Sequence, residues 1–376
     1  PTLKIKNFSI KKIITATNTP RLDYSTGAEA FLLEPQSTNL ITQSEDLTNA
    51  FYLTTGIVTV TESTTLSPDG TGFGYTITPT SSATNHYFNY NYGQLTVAVG
   101  DEVTYSIFVK PNGYNFIQIA SSSGFPAKYQ NFELTGDGVI GTGDISGKTI
   151  QKIGDWYRCS VTETASGVNP RFLLSPSETV LATRNPVYSG NGTDGVLGWG
   201  VQVEVGSYAT SYIPTSGTTV TRNQETCIDA TPEINSEEGV LYFEGAALSA
   251  SSGIRYITLS DGINNNNAIR IYYEQSNNIY FQKYVNGTRT TNILTSSLIK
   301  TDFNKIAVRY NSTEFSVFAN GVNILNNADT NIIAPNTLNK LGFVLGTNIL
   351  PFFGNTKDVQ VYTKALSDAE LIKLTT

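Results

Sequence analysis

The sequence is poor in the residues on which enzymes and metal sites most often depend. Its 376 residues include one histidine, His86, two cysteines, Cys159 and Cys227, and no methionine, and only 15% of them are charged. One histidine with two separated cysteines excludes a histidine-rich zinc site. A Ser-His-acid triad would have to use His86, which lies among tyrosines in a strand pattern. We therefore expect His86 to be a structural residue of a strand.

Other absences narrow the class of protein further. Two cysteines do not make a disulfide framework, and we expect both to be free thiols in a chain assembled in a reducing cytoplasm. No apolar run approaches the length that crosses a bilayer, so we expect no membrane insertion. The net charge is −7 and lysine and arginine form no cluster, which argues against nucleic acid as a partner.

The residues that are abundant favour β-sandwiches. The chain is rich in glycine, threonine, serine and asparagine, and it has 21 tyrosines and 18 phenylalanines. Short segments of alternating polar and apolar residues recur between glycine and proline turns, without a helical period. A chain of this length suits two or three domains. We predict an all-β protein with two sandwiches.

The first predicted sandwich covers residues 37–222, and its last strand lies near the start of the stretch 198–222. Alternation with a period of two residues predicts a strand with one buried side. It places Trp199, Val201, Val203 and Val205 on one face of this strand and Gly200, Gln202 and Glu204 on the other. The polar, proline-bearing residues 223–235 follow as the predicted linker to the second sandwich.

Four stretches of this region resemble a known structural family. They are "PRLDYSTGAEAFLLEPQSTNLITQSEDL" (20–47), "YSIFVKPNG" (105–113), "GDWYRCSVT" (154–162) and "WGVQVEVGSYATSYIPTSGTTVTR" (199–222). In this order they are similar to a sandwich domain of tailed-bacteriophage tail and virion-surface proteins. The resemblance implies a jelly roll like that of carbohydrate-binding modules, on a protein located at the virion surface.

Residues 1–36 do not resemble a self-standing domain. Lysines interleave with isoleucines over residues 4–14, which predicts one strand, and Thr19-Pro20 ends it. Two interpretations stay open: a surface arm that packs on the first sandwich, or an assembly arm that docks on neighbouring chains. An isoleucine-rich terminal strand needs a partner along its edges. With the fibre-like family context, this favours a homo-oligomer, with a trimer as the favoured number.

The second predicted sandwich covers residues 236–376. Asn286-Gly287 and Asn320-Gly321 each lie between alternating runs, as in two-residue hairpins. "EFSVFANGVNIL" and the late "FFGNTKDVQVYTKALSDAELIKL" resemble the laminin-G-like, concanavalin A-like sandwich family. Within the latter, Ser367 and Glu370 have the spacing of a capping box, which predicts one short helix that starts at Asp368.

Acidic residues offer few candidates for catalysis or for a metal. Glu237 with Glu238, and Asp137 with Asp144, are the carboxylate pairs that glycoside hydrolysis would need. The neighbours Glu237 and Glu238 would face opposite sides of a strand, and the two aspartates lie in glycine-rich turns, so we predict no catalytic residues. The family resemblance also implies that Ca²⁺ is a possible ligand; the loop acids to check are Asp137, Asp144, Asp261 and Asp358.

The tyrosines of the second sandwich suggest a binding surface. In "IRIYYEQSNNIYFQKY" (269–284), Tyr272, Tyr280 and Tyr284 alternate with apolar residues and should point outward. Asparagines, among them Asn266 and Asn277, lie in the adjacent turns. Aromatic rings stack on sugars and amides bond sugar hydroxyls, so we predict a glycan site made of these five residues. Core packing and plain strand propensity are the alternative reasons for these tyrosines.

Together these observations predict a non-enzymatic phage virion-surface protein that binds host-surface glycans. It would be a tail-fibre, appendage or head-decoration component, assembled in the host cytoplasm, with other virion proteins and a host glycan as partners. Two alternatives stay open: a purely structural virion component and a polysaccharide depolymerase. Clustered acids in a cleft would favour the depolymerase, exposed tyrosines on a distal loop surface would favour binding, and a large apolar face on the arm would favour the structural role.

Overall fold

The computed structural model describes residues 21–23, 29–53, 57–228, 230–249, 253–263, 265–276, 278–346 and 349–376. The chain divides into two compact units. One unit is Gln36–Asn223; the other joins the residues up to Pro35 with Gln224–Thr376. We call the second the C-terminal unit. Among the described residues, no helix is long and apolar enough to cross a membrane.

The strands of the N-terminal half are mostly short and separated by turns. They are β1 (Arg21–Asp23), β2 (Ala30–Leu33), β3 (Ser37–Asn39), β4 (Tyr52–Leu53), β5 (Val58–Leu66), β6 (Phe73–Pro79), β7 (Thr84–Asn85), β8 (Asn89–Tyr90), β9 (Glu102–Asn112), β10 (Phe116–Ser122), β11 (Tyr129–Glu133), β12 (Val139–Gly143), β13 (Gly147–Ile153), β14 (Trp156–Thr164), β15 (Arg171–Ser177), β16 (Val187–Tyr188), β17 (Gly195–Val205) and β18 (Val220–Arg222).

The C-terminal half adds further strands and one helix. They are β19 (Gly239–Ala247), β20 (Arg255–Ser260), β21 (Ala268–Tyr273), β22 (Ile279–Val285), β23 (Thr288–Thr295), β24 (Asn304–Tyr310), β25 (Glu314–Ala319), β26 (Val322–Ala328), β27 (Lys340–Gly342), β28 (Gly354–Tyr362) and α1 (Asp368–Thr375). The predicted all-β fold class is confirmed.

The unit Gln36–Asn223 is a jelly-roll sandwich of two main sheets. One has the strand order β13-β14-β9-β17-β6-β5, and the other has the order β12-β11-β10-β15. Alternate residues of β9 face the core of this unit: Val103, Tyr105, Ile107 and Val109 all belong to one buried cluster. Phe108, on the other face of β9, packs in a separate cluster.

The prediction of one buried side in β17 is wrong, because both faces are buried as far as Glu204 and Val205 is exposed; the alternation also fails at Trp199. The register of β17 against β9 shifts between Trp199 and Gln202, and Gly200 within this shift has a φ of +66°. Glycine tolerates this left-handed conformation, which lets the strand take one extra residue as a bulge. The bulge reverses the alternation, so Trp199 packs with Phe108, whereas Val201 and Val203 lie in the main core on the opposite face.

The C-terminal unit is a sandwich of a seven-stranded and a five-stranded sheet. The orders are β1-β2-β28-β19-β24-β25-β26 and β23-β22-β21-β20-β27. Apolar residues of both sheets form a shared core, which includes Phe243, Ile271 and Phe281. Within it, the Lys283 Nζ lies 3.7 Å from a carboxylate oxygen of Asp329, and both side chains are almost fully buried.

Part of the predicted N-terminal arm belongs to this sandwich and is not a separate element. Strand β2 pairs with β28, and β1 pairs with β2 at the edge of the seven-stranded sheet. Leu33 is 1% exposed in the core of the C-terminal unit. The Arg21 guanidinium bonds the carboxylates of Glu34 and Glu225. The strand predicted within residues 4–14 lies outside the described residues.

Local signals in the second sandwich are confirmed. Asn286-Gly287 and Asn320-Gly321 have positive φ at both residues, as a two-residue hairpin requires. The helix begins at Asp368, with Ser367 as its N-cap and a complete capping box to Glu370. The strands β23 and β26, each of which follows one of these hairpins, were not predicted.

Candidate glycan-binding surface

The five-stranded sheet of the C-terminal unit has one apolar face and one mixed face. Ile257, Ile271, Ile279 and Phe281 point into the core. The residues that alternate with them form the opposite face, which we call the outer face. Strand pairing arranges its side chains in three rows that run across the strands. From β23 towards β20, the first row is Leu294, Tyr280, Tyr272 and Tyr256, the second is Asn292, Gln282, Arg270 and Thr258, and the third is Arg289, Tyr284, Ala268 and Ser260.

The tyrosines of the first row stack on each other. The rings of Tyr256 and Tyr272 have centroids 4.8 Å apart and planes 12° apart. Those of Tyr272 and Tyr280 are 5.2 Å and 21° apart. We call Tyr256, Tyr272 and Tyr280 the tyrosine row.

This stacking decides which parts of the rings a ligand can reach. Tyr272 lies between two rings, so both of its faces are covered and only its edge and hydroxyl are available. Tyr280 has one ring face turned towards β23, where its cross-strand neighbour is Leu294. Leu294 is 51% exposed, so the open side of the row is an accessible apolar contact. The row therefore ends in a partly exposed Tyr280 beside the exposed Leu294, and offers phenol edges along its length.

The electrostatics keep Tyr272 neutral at ordinary pH. Burial raises the pKa of Tyr272 to about 12, with further contributions from Tyr256, Glu274 and Tyr280. A neutral phenol can donate as well as accept a hydrogen bond, as recognition of a sugar hydroxyl requires.

The second row carries polar groups at the centre of the sheet. The Gln282 Nε2 donates to Asn292 Oδ1 at 2.9 Å. Arg270 is only 6% exposed; its Nη2 donates to the Asn265 carbonyl oxygen at 2.8 Å, and its Nε has no hydrogen-bond partner. Its guanidinium lies 3.7 Å from the centroid of the Tyr284 ring, in a cation–π contact. Burial lowers the pKa of Arg270, opposed by Tyr284, Tyr256 and Asp261.

The structure places the predicted site residues in two groups. Tyr272 and Tyr280 are direct cross-strand neighbours. Tyr284 lies in the third row, four residues along β22 from Tyr280, or about 13 Å at the rise of a strand. Asn266 is exposed at the same end of the sheet as Tyr284, where its carbonyl oxygen accepts from the Gly287 N–H at 2.8 Å. Asn277 lies outside the described residues.

Several residues of this surface were not predicted, among them Tyr256, Arg270, Gln282, Asn292 and Leu294. Alternation in "RYITLS" puts Tyr256 on the same face as Thr258, and this pattern could have identified Tyr256 as an outward-facing residue. Alternation alone does not show that β20 pairs with β21, and that pairing is what brings Tyr256 against Tyr272. Leu294 belongs to β23, a strand that sequence reasoning missed.

The four loop acids proposed for calcium do not come together. Asp144 accepts from the Tyr129 N–H at 2.8 Å, and Asp261 accepts from backbone N–H groups of its own loop, including that of Ile263 at 3.1 Å. Asp358 lies within β28 and bonds Gln360, so it is not a loop residue. Over the described ranges, no group of three or more His, Cys, Asp or Glu side chains could hold a metal ion. Calcium stays a prediction without a ligand set.

The candidate catalytic pair Glu237 and Glu238 lies at an open cleft. Glu237 and Glu238 lie in a bend before β19, not in a strand, so the prediction that they face opposite sides is wrong. Both line an open cleft of about 390 Å³ together with Glu233, Asn336 and Lys364.

His86 has a structural role, as predicted, but it lies between β7 and β8 and not in a strand, and the cysteines are free thiols, as predicted. His86 is 1% exposed, and its ring nitrogens lie 2.5 Å and 2.9 Å from the carbonyl oxygens of Ile57 and Tyr188. Cys159 and Cys227 are both free thiols. Burial raises the pKa of each thiol, which makes both poor nucleophiles.

Comparison with solved structures gives distant likenesses. A CBM40 domain of a Ruminococcus gnavus IT-sialidase is 19% identical over 37% of this chain and 83% of that chain, with a TM-score of 0.33. A SAP-like pentraxin from Limulus polyphemus is 12% identical over 40% and 74%, with a TM-score of 0.32. Domains LG4-5 of the mouse laminin alpha1 chain are 9% identical over 76% and 90%, with a TM-score of 0.26. TM-scores this low carry no functional argument.

Sequence comparison is informative for the C-terminal unit alone. No curated protein sequence matches the chain significantly. Residues 241–372 match the family model Laminin_G_3, described as the concanavalin A-like lectin/glucanases superfamily. This match confirms the predicted resemblance of the second sandwich, which is therefore a laminin-G-like, concanavalin A-like domain.

Proposed function

We propose that this protein binds a glycan, without cleaving it, through the outer face of its five-stranded sheet. The observation that carries the proposal is the tyrosine row, which ends in the partly exposed Tyr280 beside the exposed Leu294. This face lies on the side of the sheet away from the shared core; Tyr272 and Tyr280 are partly exposed there, whereas Tyr256 is buried. The superfamily match over 241–372 adds support, since its description names lectins.

The row and its neighbours supply the two kinds of contact that sugar recognition needs. The apolar face of a pyranose ring packs against Tyr280 and Leu294. Its hydroxyls bond the phenol of Tyr272 and the amides of Gln282 and Asn292. One such site binds weakly, with a dissociation constant on the order of millimolar, and several copies on one particle raise the apparent affinity.

The proposed setting is the surface of a phage virion, as a tail-fibre, appendage or head-decoration component. Its support is the resemblance of residues 20–47, 105–113, 154–162 and 199–222 to tailed-phage virion proteins. The proposed partners are other virion proteins, a host-surface glycan and further copies of this chain, in a trimer assembled in the host cytoplasm. Deletion of residues 1–19 should convert the oligomer to a monomer in sedimentation. An intact chain that sediments as a monomer at micromolar concentration would refute the trimer.

Binding of the purified full-length protein to a broad glycan array and to host cells tests the proposed function. We expect binding to a defined set of glycans, without release of reducing ends from host polysaccharide. No binding on either surface would point to a purely structural virion component. Release of reducing ends would point to a depolymerase.

One observation favours the depolymerase as a second candidate. Glu233, Glu237 and Glu238 line one cleft, and paired carboxylates in a cleft are the machinery of glycoside hydrolysis. If this cleft hydrolyses a polysaccharide, Glu237→Gln or Glu238→Gln should abolish release of reducing ends. Wild-type protein that releases none would remove this candidate.

A further inference from the structure

We propose that the glycan recognised on the outer face carries a carboxylate and that Arg270 is the residue that selects it. This inference rests on the proposed function and names the chemical class of its ligand: a uronic acid or another acidic sugar. It follows from the charge on the outer face, from the surroundings of Arg270 and from the position of Arg270 beside the tyrosine row.

The charge of the outer face is opposite to that of the protein. The chain has a net charge of −7. Yet the outward positions within the five strands, all of which the structure describes, carry Arg270, Arg289 and Lys340 and no carboxylate; the acids that act on this face, Asp261 and Glu274, lie in the turns after β20 and β21. Arg289 is exposed at the edge of the sheet, whereas Arg270 lies at its centre. A positive face on an acidic protein favours an anionic ligand at that face.

Arg270 differs from the other buried arginine of the C-terminal unit. Arg309, in the seven-stranded sheet, is also 6% exposed, and its two terminal nitrogens lie 2.7 Å from carboxylate oxygens of Glu314 and Asp368. No carboxylate lies within ion-pair distance of Arg270 among the described residues, and Asp261, the acid that acts on it, is engaged by backbone N–H groups of its own loop. A buried guanidinium without a counter-ion is costly. A ligand carboxylate would supply the missing counter-ion.

The position of Arg270 fits this role. It lies two residues from Tyr272 on the same face of β21, or about 7 Å along the strand. A sugar that packs on Tyr280 and bonds Tyr272 therefore presents its substituents to the second row, where Arg270 stands opposite Gln282. The guanidinium has a fork of N–H donors that matches the two oxygens of a carboxylate.

The cover over Arg270 can move. Tyr284, whose ring lies against the guanidinium, is partly exposed. Rotations of partly exposed side chains are fast and meet low barriers. A turn of this ring removes one of the contacts that cover the guanidinium, and a ligand carboxylate then replaces the contact to Tyr284 with a charge-assisted hydrogen bond.

The test compares acidic oligosaccharides with their own carboxyl-reduced derivatives, in which each carboxylate has become a primary alcohol. The full-length protein is titrated with uronic-acid and sialic-acid oligosaccharides and with the reduced forms. We expect the acidic form of the recognised glycan to bind about tenfold more tightly than its reduced form, and this advantage to shrink as salt is raised. Equal affinity for both forms would overturn the proposal while the proposed function stands. No binding of any glycan would remove both.

Variants assign the effect to Arg270. Arg270→Gln should lower the affinity for the acidic form to that for the reduced form, with thermal unfolding as the check on folding. Lys373→Gln removes an exposed cation of α1, outside the outer face, and should change the ratio of the two affinities less than twofold. An Arg270→Gln variant that keeps the tenfold preference for the acidic form would overturn the assignment of this preference to Arg270. If Arg270→Gln does not fold, the comparison of the two glycan forms on the wild-type protein still decides the ligand class.

Discussion

Tyr272 and Tyr280 stack across neighbouring strands with their ring centroids 5.2 Å apart. Because Tyr256 covers the other face of Tyr272, the middle ring of the row cannot stack on a sugar. Stacking is left to the end of the row, at Tyr280, and the middle ring contributes its hydroxyl. Rings that were interchangeable in the sequence thus have different roles in the structure.

Tyr272→Phe tests this division of roles. The substitution keeps the stacked ring and removes only the hydroxyl, so it should weaken glycan binding about fivefold, the value of one neutral hydrogen bond. Tyr273→Phe is the matched control, because Tyr273 is the next residue and faces the core. Its affinity should equal that of the wild type. Calorimetric titration with the best glycan from the array measures both, and equal affinities for Tyr272→Phe and wild type would contradict the assigned role.

Replacement of Tyr273 and of Tyr310 by phenylalanine should change the free energy of unfolding in opposite directions. Both are 1% exposed, but the Tyr310 hydroxyl donates to the Asn235 carbonyl oxygen at 2.8 Å, whereas the Tyr273 hydroxyl is buried without a partner. An unpaired buried hydroxyl is destabilising. Tyr273→Phe should therefore raise the free energy of unfolding by roughly 1 kcal/mol, and Tyr310→Phe should lower it by about the same amount. Urea unfolding measures both, and changes of the same sign would contradict the contrast.

Asp329 predicts how stability depends on pH. Burial alone would raise its pKa, but hydrogen bonds from Thr291, Asn331 and Thr290 lower it to about 2. An unfolded aspartate has a pKa of about 3.9. Because the folded value is the lower one, the stabilisation by Asp329 is fully present above the unfolded pKa and is lost as the pH falls towards 2.

Asp329→Asn checks this dependence. At neutral pH it leaves the buried Lys283 without its counter-ion, so the unit should lose roughly 3 kcal/mol. Urea unfolding of wild type and variant is compared from pH 6 down to pH 2.5. The difference between the two stabilities should shrink towards the acid end, and a difference that stays constant over this range would contradict the lowered pKa.

Because β2 contributes to the C-terminal unit, we predict that residues 236–376 are less stable alone than within the full chain. The fragment lacks Leu33, which is buried in its core, and leaves β28 without its β2 partner. Leu33→Ala in the full chain should cost about 2–4 kcal/mol, and Leu32→Ala, on the other face of β2, less than 1 kcal/mol. The fragment should fold with a lower unfolding temperature than the unit has in the full chain. Calorimetry measures all of these, and a fragment as stable as the intact unit would show that β2 contributes nothing.

Local signals in the sequence predicted local structure well. The hairpins at Asn286-Gly287 and Asn320-Gly321 and the helix start at Asp368 each depend on residues within one turn. The outward direction of Tyr272 and Tyr280 follows from alternation. Strands β21 and β22 pair without a bulge, so the residues next to Ile271 and Phe281 face outward.

Features that depend on distant residues could not be predicted in this way. The bulge at Gly200 reverses the face of Trp199, and a period of two residues cannot show it. The stack of Tyr256 on Tyr272 requires the strand order β22-β21-β20, and the place of β2 requires its pairing with a strand more than 300 residues later. The isolation of Arg270 from carboxylates is likewise a property of the folded sheet.

The central claim is that the outer face binds a glycan at the open end of the tyrosine row. The most direct measurement is the adsorption of purified full-length protein to host cells for wild type, Tyr280→Ala and Leu325→Ala. Leu325 is an exposed residue of β26 in the other sheet and serves as the control. We predict that Tyr280→Ala lowers adsorption at least tenfold without a loss of folding, while Leu325→Ala adsorbs like the wild type. A folded Tyr280→Ala variant that adsorbs as well as the wild type would contradict glycan binding at the end of the tyrosine row.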